Sequence, residues 1–232
     1  MITAVADDSC IVTFPTRTRF YFMRPTPKMF HLSDIAHSLS FAPRFNGHTK
    51  RHYSVLEHSY QVALEVLRLT DSHEAALCAA LHDGEEAYTC DLPGPIKTEI
   101  AEFNIIADRI KEQLLIHFRL EEAYAKWKPI VKDIDDRMLH TESIQLSHGA
   151  TWENQSRVLR SVQLAPYREQ LTINMLEEVV EYCGSNKKAH KKLLEDTVRK
   201  AIDHLKAGGD CRHARDYYIF SVKNWLVATG RS

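Results

Sequence analysis

A histidine and an aspartate stand side by side at His82-Asp83, inside the run Leu81-His82-Asp83-Gly84-Glu85-Glu86-Ala87-Tyr88. Another histidine, His58, precedes them by 24 positions, and an aspartate, Asp135, follows Asp83 by 52. Two imidazoles and two carboxylates make a mixed nitrogen and oxygen donor set. Such a set suits zinc, cobalt, manganese or iron and is too rich in nitrogen for a typical magnesium cage. The chemistry it points to is metal-assisted hydrolysis.

Taken singly, each residue has a plainer reading. A lone inward histidine is more often a hydrogen-bonded core residue than a ligand, and buried aspartates often cap helices. Their joint occurrence carries the weight: a His-Asp pair in a helical chain, Glu86 one turn later, then the break Asp91-Leu92-Pro93-Gly94-Pro95-Ile96-Lys97. Buried ionisable groups are costly unless paired or bound to a cation, so a cluster of them needs a charge to organise it.

Helices must carry these residues inward. Ser54 is the expected N-cap of a helix whose third position is Glu57, the capping-box spacing. In that helix Val55, Ser59, Val62, Ala63 and Val66 form the buried stripe, and His58 falls on the same side. A second helix is predicted from Ser72 to Cys90, with Ala76, Leu77, Ala80 and Leu81 leading into the His-Asp pair. Proline twice fixes φ and removes a donor in 91–95, which makes that segment a stiff break. Ser33-Asp34 starts a short helix through Ala42, ended by Pro43, and Arg44-Phe45-Asn46-Gly47-His48-Thr49 reads as a polar loop with a glycine turn. Further helical patterns cover about 98–120, 129–148, 168–183, 187–206 and 211–228, with Gly184, Gly208 and Gly209 as stops. The first thirty residues, broken by Pro15, Pro25 and Pro27 and carrying Phe14, Phe20, Tyr21, Phe22, Met23 and Phe30, suggest a packed arm or short strands. The fold class is all-α.

At 232 residues and 44% hydrophobic content the chain is long enough for one sizeable core, and a single domain over 1–232 is expected. The formal charge of -1 announces no nucleic acid or membrane partner. From Ser185 onward, however, 11 Lys and Arg stand against 5 Asp and Glu. Five scattered cysteines with no Cys-x-x-Cys pair argue against a disulfide framework and a sulfur-ligated zinc, and fit a reducing compartment. Neither a leader pattern nor a run of 18 apolar residues is found, so a soluble protein is expected.

Four segments in order carry a resemblance: Arg44-Phe45-Asn46-Gly47-His48-Thr49; Tyr53-Ser54-Val55-Leu56-Glu57-His58-Ser59; His82-Asp83-Gly84-Glu85-Glu86-Ala87-Tyr88 with Asp91-Leu92-Pro93-Gly94-Pro95-Ile96-Lys97; and Val131-Lys132 with Asp135 and Thr141-Glu142. They resemble the HD-domain phosphohydrolases, and within them the bacterial and bacteriophage 5'-deoxynucleotidases and dATP triphosphohydrolases. The likeness spans roughly residues 30–150. It implies an HD-type helical bundle with 151–232 as a helical extension. It implies that His58, His82, Asp83 and Asp135 bind a divalent transition metal (Zn, Co or Mn, with an additional Mg or Co left open). The resemblance prefers Asp135 to Asp133 and Asp136 because it lies seven residues before Glu142, the spacing of the family's fourth motif. Glu86 matches the catalytic glutamate, with Asp91 in the catalytic set. Arg44, Lys97 and His48 match phosphate-facing positions, Phe45 lies where an aromatic meets the nucleoside, and Pro95 closes that pocket. Gly84 and Cys90 depart from the pattern, which often has Ala or another small residue at the first and commonly glycine at the second; Gly84 is expected only to loosen its helix.

The resemblance further implies a nucleotide substrate, first of all a 2'-deoxynucleotide, and a bacterial or phage-encoded protein; a cytoplasmic homo-oligomer is also expected. Two other classes stay open. One is a catalytically idle protein that binds a metal and a nucleotide. The other is a nucleic-acid-binding helical protein using Lys187, Lys188, Lys191, Lys192, Arg199 and Lys200, although a basic helix face is usually only solvated.

Overall fold

The computed structural model describes residues 9–146, 158–159, 162, 164 and 212–231. Contacts divide the chain into two units, one of Met1–Val162 with Tyr218–Ser232 and the other of Gln163–Tyr217. Every element from the first strand to the long helix before residue 147 belongs to the first unit. Most of the expected extension 151–232, including the patterns at 168–183 and 187–206 and the six basic residues from Lys187 to Lys200, lies outside the described residues.

Short strands do open the described chain. β1 (Cys10–Val12) and β2 (Arg19–Tyr21) pair antiparallel with Ile11 opposite Phe20. Two strands are too few to stand alone, and a buried carboxylate fixes the hairpin. Asp34 accepts from Thr13 Oγ1 at 2.6 Å and from the Thr16 amide at 3.0 Å. Phe20 stacks on Tyr88 with ring centroids 3.9 Å apart, so the hairpin rests against the segment that follows the His-Asp pair.

Asp34 sits in α1 (Leu32–Phe41), which ends where Pro43 forbids continuation. α2 (Val55–Thr70) opens with the expected capping box: Ser54 accepts from the Glu57 amide and Glu57 accepts from the Ser54 amide. The predicted stripe Val55, Ser59, Val62, Ala63 and Val66 is buried, yet so are Leu56, Glu57, Tyr60 and Glu65. α2 is therefore a central helix covered on most sides, packed against α3 (His73–Ala80) and α7 (Glu121–Leu146). α3 and α7 also pack on one another, and this three-helix contact is the framework of the site.

The predicted helix from Ser72 to Cys90 is not continuous. α3 ends at Ala80, and the amides of His82, Gly84, Glu86 and Ala87 bond three residues back, to Ala79, Leu81, Asp83 and Gly84, until α4 (Glu86–Thr89) forms. The Ala79 carbonyl accepts from both the His82 amide and His82 Nδ1, which tightens the chain away from α-helical spacing. Gly84 thus does more than loosen a helix. A Cβ there would come 2.7 Å from Leu114 Cδ1 on α6 (Ala101–Phe118), so the missing side chain lets α6 approach the turn.

The stiff break proves shorter than predicted, since Gly94–Glu99 form a short helix, α5, with Pro95 in its first turn, where a missing amide costs nothing. α7 starts at Glu121, before the predicted 129, and runs through Pro129. That proline is on the exposed side, where water can satisfy the carbonyl it leaves unbonded. The pattern at 211–228 is found as α8 (Arg212–Ala228), and beyond it Arg231 donates to Glu74 and to the Arg119 carbonyl. The described fold is all-α, with the hairpin as its only sheet among the described residues.

Cys90, the second departure noted in the sequence, adopts φ 69° and ψ 161°. This is a region that glycine occupies freely and that strains other residues by about 1–3 kcal/mol. Cys90→Gly is expected to stabilise the chain by about 1 kcal/mol, because relieved strain outweighs the extra unfolded-state entropy of glycine. A thermal melt should show a rise of about 2–4 °C; a lower melting temperature would mean the backbone is relaxed at Cys90.

Candidate metal centre

His58 projects from the first turn of α2, His82 and Asp83 from the turn after α3, and Asp135 from the middle of α7. The ligand atoms of His58, His82 and Asp83 lie within 4.8 Å of one another, a group able to hold a metal ion. The two Nε2 atoms are 3.3 Å apart. Asp83 Oδ2 is 3.6 Å from His58 Nε2 and 3.2 Å from His82 Nε2. Asp135 Oδ1 is 3.1 and 3.7 Å from the same two nitrogens. Asp136 turns to Lys132 at 2.6 Å and Asp133 to Arg137 at 3.6 Å, so of the three neighbouring aspartates it is Asp135 that meets the histidines.

Both rings are held from behind. His58 donates through Nδ1 to Glu142 Oε1 at 2.6 Å, and His82 through Nδ1 to the Ala79 carbonyl at 2.7 Å. With the proton on Nδ1 in each neutral ring, both Nε2 lone pairs face each other and two carboxylates. That arrangement demands positive charge, and the residues fit a divalent cation. Where protons supply the charge, burial opposes protonating His82, yet Asp83 and Asp135 outweigh it and hold its pKa well above the usual histidine value. Burial and Arg44 likewise oppose charging His58, and Glu142 and Asp135 overcome them. Burial pushes the carboxyls of Asp83 and Asp135 upward, but the two histidines prevail and hold both well below the ordinary range.

Sequence reasoning used Glu142 only as a register mark and assigned it no role. It is fully buried and binds three partners: His58, the Tyr53 hydroxyl at 2.8 Å, and Arg44 Nε at 3.2 Å. The signal was available, since a glutamate seven residues beyond Asp135 lies two turns along the same helix face. Glu142→Gln should weaken divalent-metal binding about 10–100-fold, the usual effect of removing a group that orients a ligand. Isothermal titration with cobalt checks this; unchanged affinity would reduce Glu142 to a packing residue.

Arg44 is buried, with its Nη1 3.8 Å from Asp83 and its Nε on Glu142. Burial opposes its charge, but Glu142 and Asp83 more than compensate and keep it firmly protonated. It faces the centre as a fixed cation. The guanidinium also lies 5.7 Å from the centroid of the half-buried Phe45 ring, which is presented by a left-handed turn running through Phe45, Asn46 and Gly47.

Glu86 is buried beyond Asp83. Its Oε1 accepts from Lys97 Nζ at 2.6 Å, while Oε2 is buried with no hydrogen-bond partner among the described residues. Burial first, then Asp83 and Asp91, push its carboxyl up to about 8 against the pull of Lys97. Burial also raises Asp91, with Arg44 and Lys97 opposing. Lys97, expected to face phosphate, stands on Glu86. His48 and Pro95 are exposed on their turns, and among the described contacts neither joins this set.

Fold and centre together define an all-α protein built around a histidine-aspartate site able to hold a metal ion. No family model matches the chain. It is 31% identical over 146 residues to the uncharacterized protein YfdR of Escherichia coli K12, covering 62% of this chain and 77% of that protein. It is also 31% identical over 135 residues to an uncharacterized protein of Rhodobacter capsulatus, covering 56% and 69%. The chain belongs to the family of these two proteins. No helix among the described residues is long and apolar enough to cross a membrane.

Proposed function

We propose that the protein is a divalent-metal-dependent phosphohydrolase of the HD-domain type, acting on nucleotides and foremost on 2'-deoxynucleotides, in the bacterial cytoplasm. The observation that carries this reading is the pair of Nε2 atoms 3.3 Å apart, facing Asp83 and Asp135, with Glu86 Oε2 buried nearby and without a hydrogen-bond partner among the described residues. His58, His82, Asp83 and Asp135 would hold zinc, cobalt or manganese. Bound there, the ion polarises a phosphoryl oxygen and lowers the pKa of water.

A phosphate ester resists attack because its oxygens repel anions, so the chain must supply fixed positive charge. Arg44 supplies it at the centre. Lys97 supplies it at the rim, where an incoming phosphate competes with Glu86 for the ammonium. Glu86 is the general base and accepts the proton of the attacking water at Oε2. Phe45 offers a flat apolar face to base or sugar. The retained Glu86 beside a full ligand set disfavours a catalytically idle protein.

The test is a chromatographic screen of nucleoside mono- and triphosphates, ribo and deoxy, with cobalt, zinc, manganese and magnesium in parallel. Release of phosphate or triphosphate from a deoxynucleotide ahead of its ribo counterpart is expected. No hydrolysis of any nucleotide with any of the four ions would overturn the proposal.

A further inference from the structure

The turn carrying His82 and Asp83 has little helical support, since its amides bond to the oxygens of Ala79, Leu81, Asp83 and Gly84 and pass over the carbonyl of His82. That carbonyl instead accepts from Lys111 Nζ on α6. The same ammonium donates to Glu85 Oε1 at 3.0 Å and lies 5.3 Å from the centroid of the Tyr124 ring. One turn along α6, Leu114 occupies the space that the missing side chain of Gly84 leaves. A single face of α6 thus grips the turn twice, by charge at residues 82 and 85 and by close approach at residue 84.

From this geometry we infer that Lys111 is a positioning residue of the metal centre: by holding the peptide between His82 and Asp83 it fixes where the Asp83 carboxylate stands relative to the two histidine nitrogens. The inference rests on the reading of the centre as a metal site. A peptide carbonyl is shared between its residue and the next, so a donor locked onto the His82 oxygen restrains ψ of His82 and φ of Asp83 together. An ammonium is a compact three-donor charge and can serve the carbonyl and the Glu85 carboxylate at once. Without it the turn relaxes and the ligand next in sequence moves. Sequence reasoning passed over Lys111 because it sits 28 positions beyond Asp83, on another helix and outside every motif.

The plainer role for Lys111 is to neutralise Glu85, and a pair of variants separates the two. Lys111→Met removes both contacts and leaves Glu85 without its cation, so it should lower the melting temperature and weaken binding of cobalt or zinc about 10–100-fold. Lys111→Met combined with Glu85→Gln removes the stranded carboxylate. Its melting temperature should recover toward that of the wild type while metal affinity, titrated calorimetrically with the ion alone, stays at least tenfold weak. Recovery of affinity together with stability would overturn the inference. Should the double variant fail to fold, Glu85→Gln alone decides: affinity within about twofold of wild type supports a role for the Lys111–carbonyl bond, and a tenfold loss transfers the role to Glu85. A wild-type chain that binds neither ion would sink the metal reading itself, an outcome distinct from a Lys111→Met variant that binds as tightly as wild type.

Discussion

Asp83→Ala is expected to lose bound metal and hydrolytic activity together, and to melt at a lower temperature than the wild-type protein loaded with metal. Asp83 Oδ2 approaches both histidine nitrogens, so its removal takes away one of the four expected ligands and one of the two negative charges that attract the cation, and leaves an incomplete, more open set that holds it far more weakly. Metal binding to the folded state contributes directly to folding, which is why stability follows the ligand. His82→Ala should behave alike. Elemental analysis, a phosphate-release assay and a thermal melt read the three effects; an Asp83→Ala variant with full activity would dismantle the assigned centre.

The pH dependence of this effect has a definite sign. In the metal-free chain the raised pKa of His82 adds stability that is complete below the ordinary histidine value and lost as pH climbs through the raised one. The depressed Asp83 and Asp135 add stability above the ordinary carboxylate range, lost as pH falls. Metal-free protein is therefore best stabilised between those ranges. Ligation needs both rings neutral and releases protons, so the gain in melting temperature on adding metal should grow from about pH 6 to about pH 8. A gain that shrinks over that interval would show the cation bound elsewhere.

Much of this centre was legible in the sequence, and the reasons differ residue by residue. His58 was placed by period: it follows a capping serine by four residues and shares the face of Val55 and Val62. Asp135 was placed by the resemblance, whose fourth motif puts the ligand seven residues before Glu142, and in the structure it is the aspartate of the three that reaches His58 and His82, while its other oxygen meets Lys132. The break at Ala80 was not legible, because alanine and leucine continue a helix by every local rule, and only the His82 ring on the Ala79 carbonyl and α6 over Gly84 end it. Lys111 escaped notice for a related reason: it acts through contacts of long sequence separation, whereas Glu142 stood in view as a register mark and its shared helix face with Asp135 was the signal left unread.

Glu86→Gln should keep its metal and lose about 10²–10⁴-fold in turnover, the contribution of a well-placed general acid or base. The amide preserves the size of the side chain and can accept from Lys97, so what disappears is the basic oxygen. A buried carboxyl pushed up to about 8 would be mostly protonated and idle at neutrality, but a cation beside Asp83 favours its ionised form. The rate should therefore rise with pH along an acid limb lying between the ordinary carboxylate range and about 8. Lys97→Met removes the ammonium that opposes the upward shift, which moves that limb to higher pH while metal content is unchanged. The two variants together separate base from ligand: a Glu86→Gln protein that lost its metal would make Glu86 a ligand. A Lys97→Met protein with an unmoved acid limb would mean that the limb reports another group.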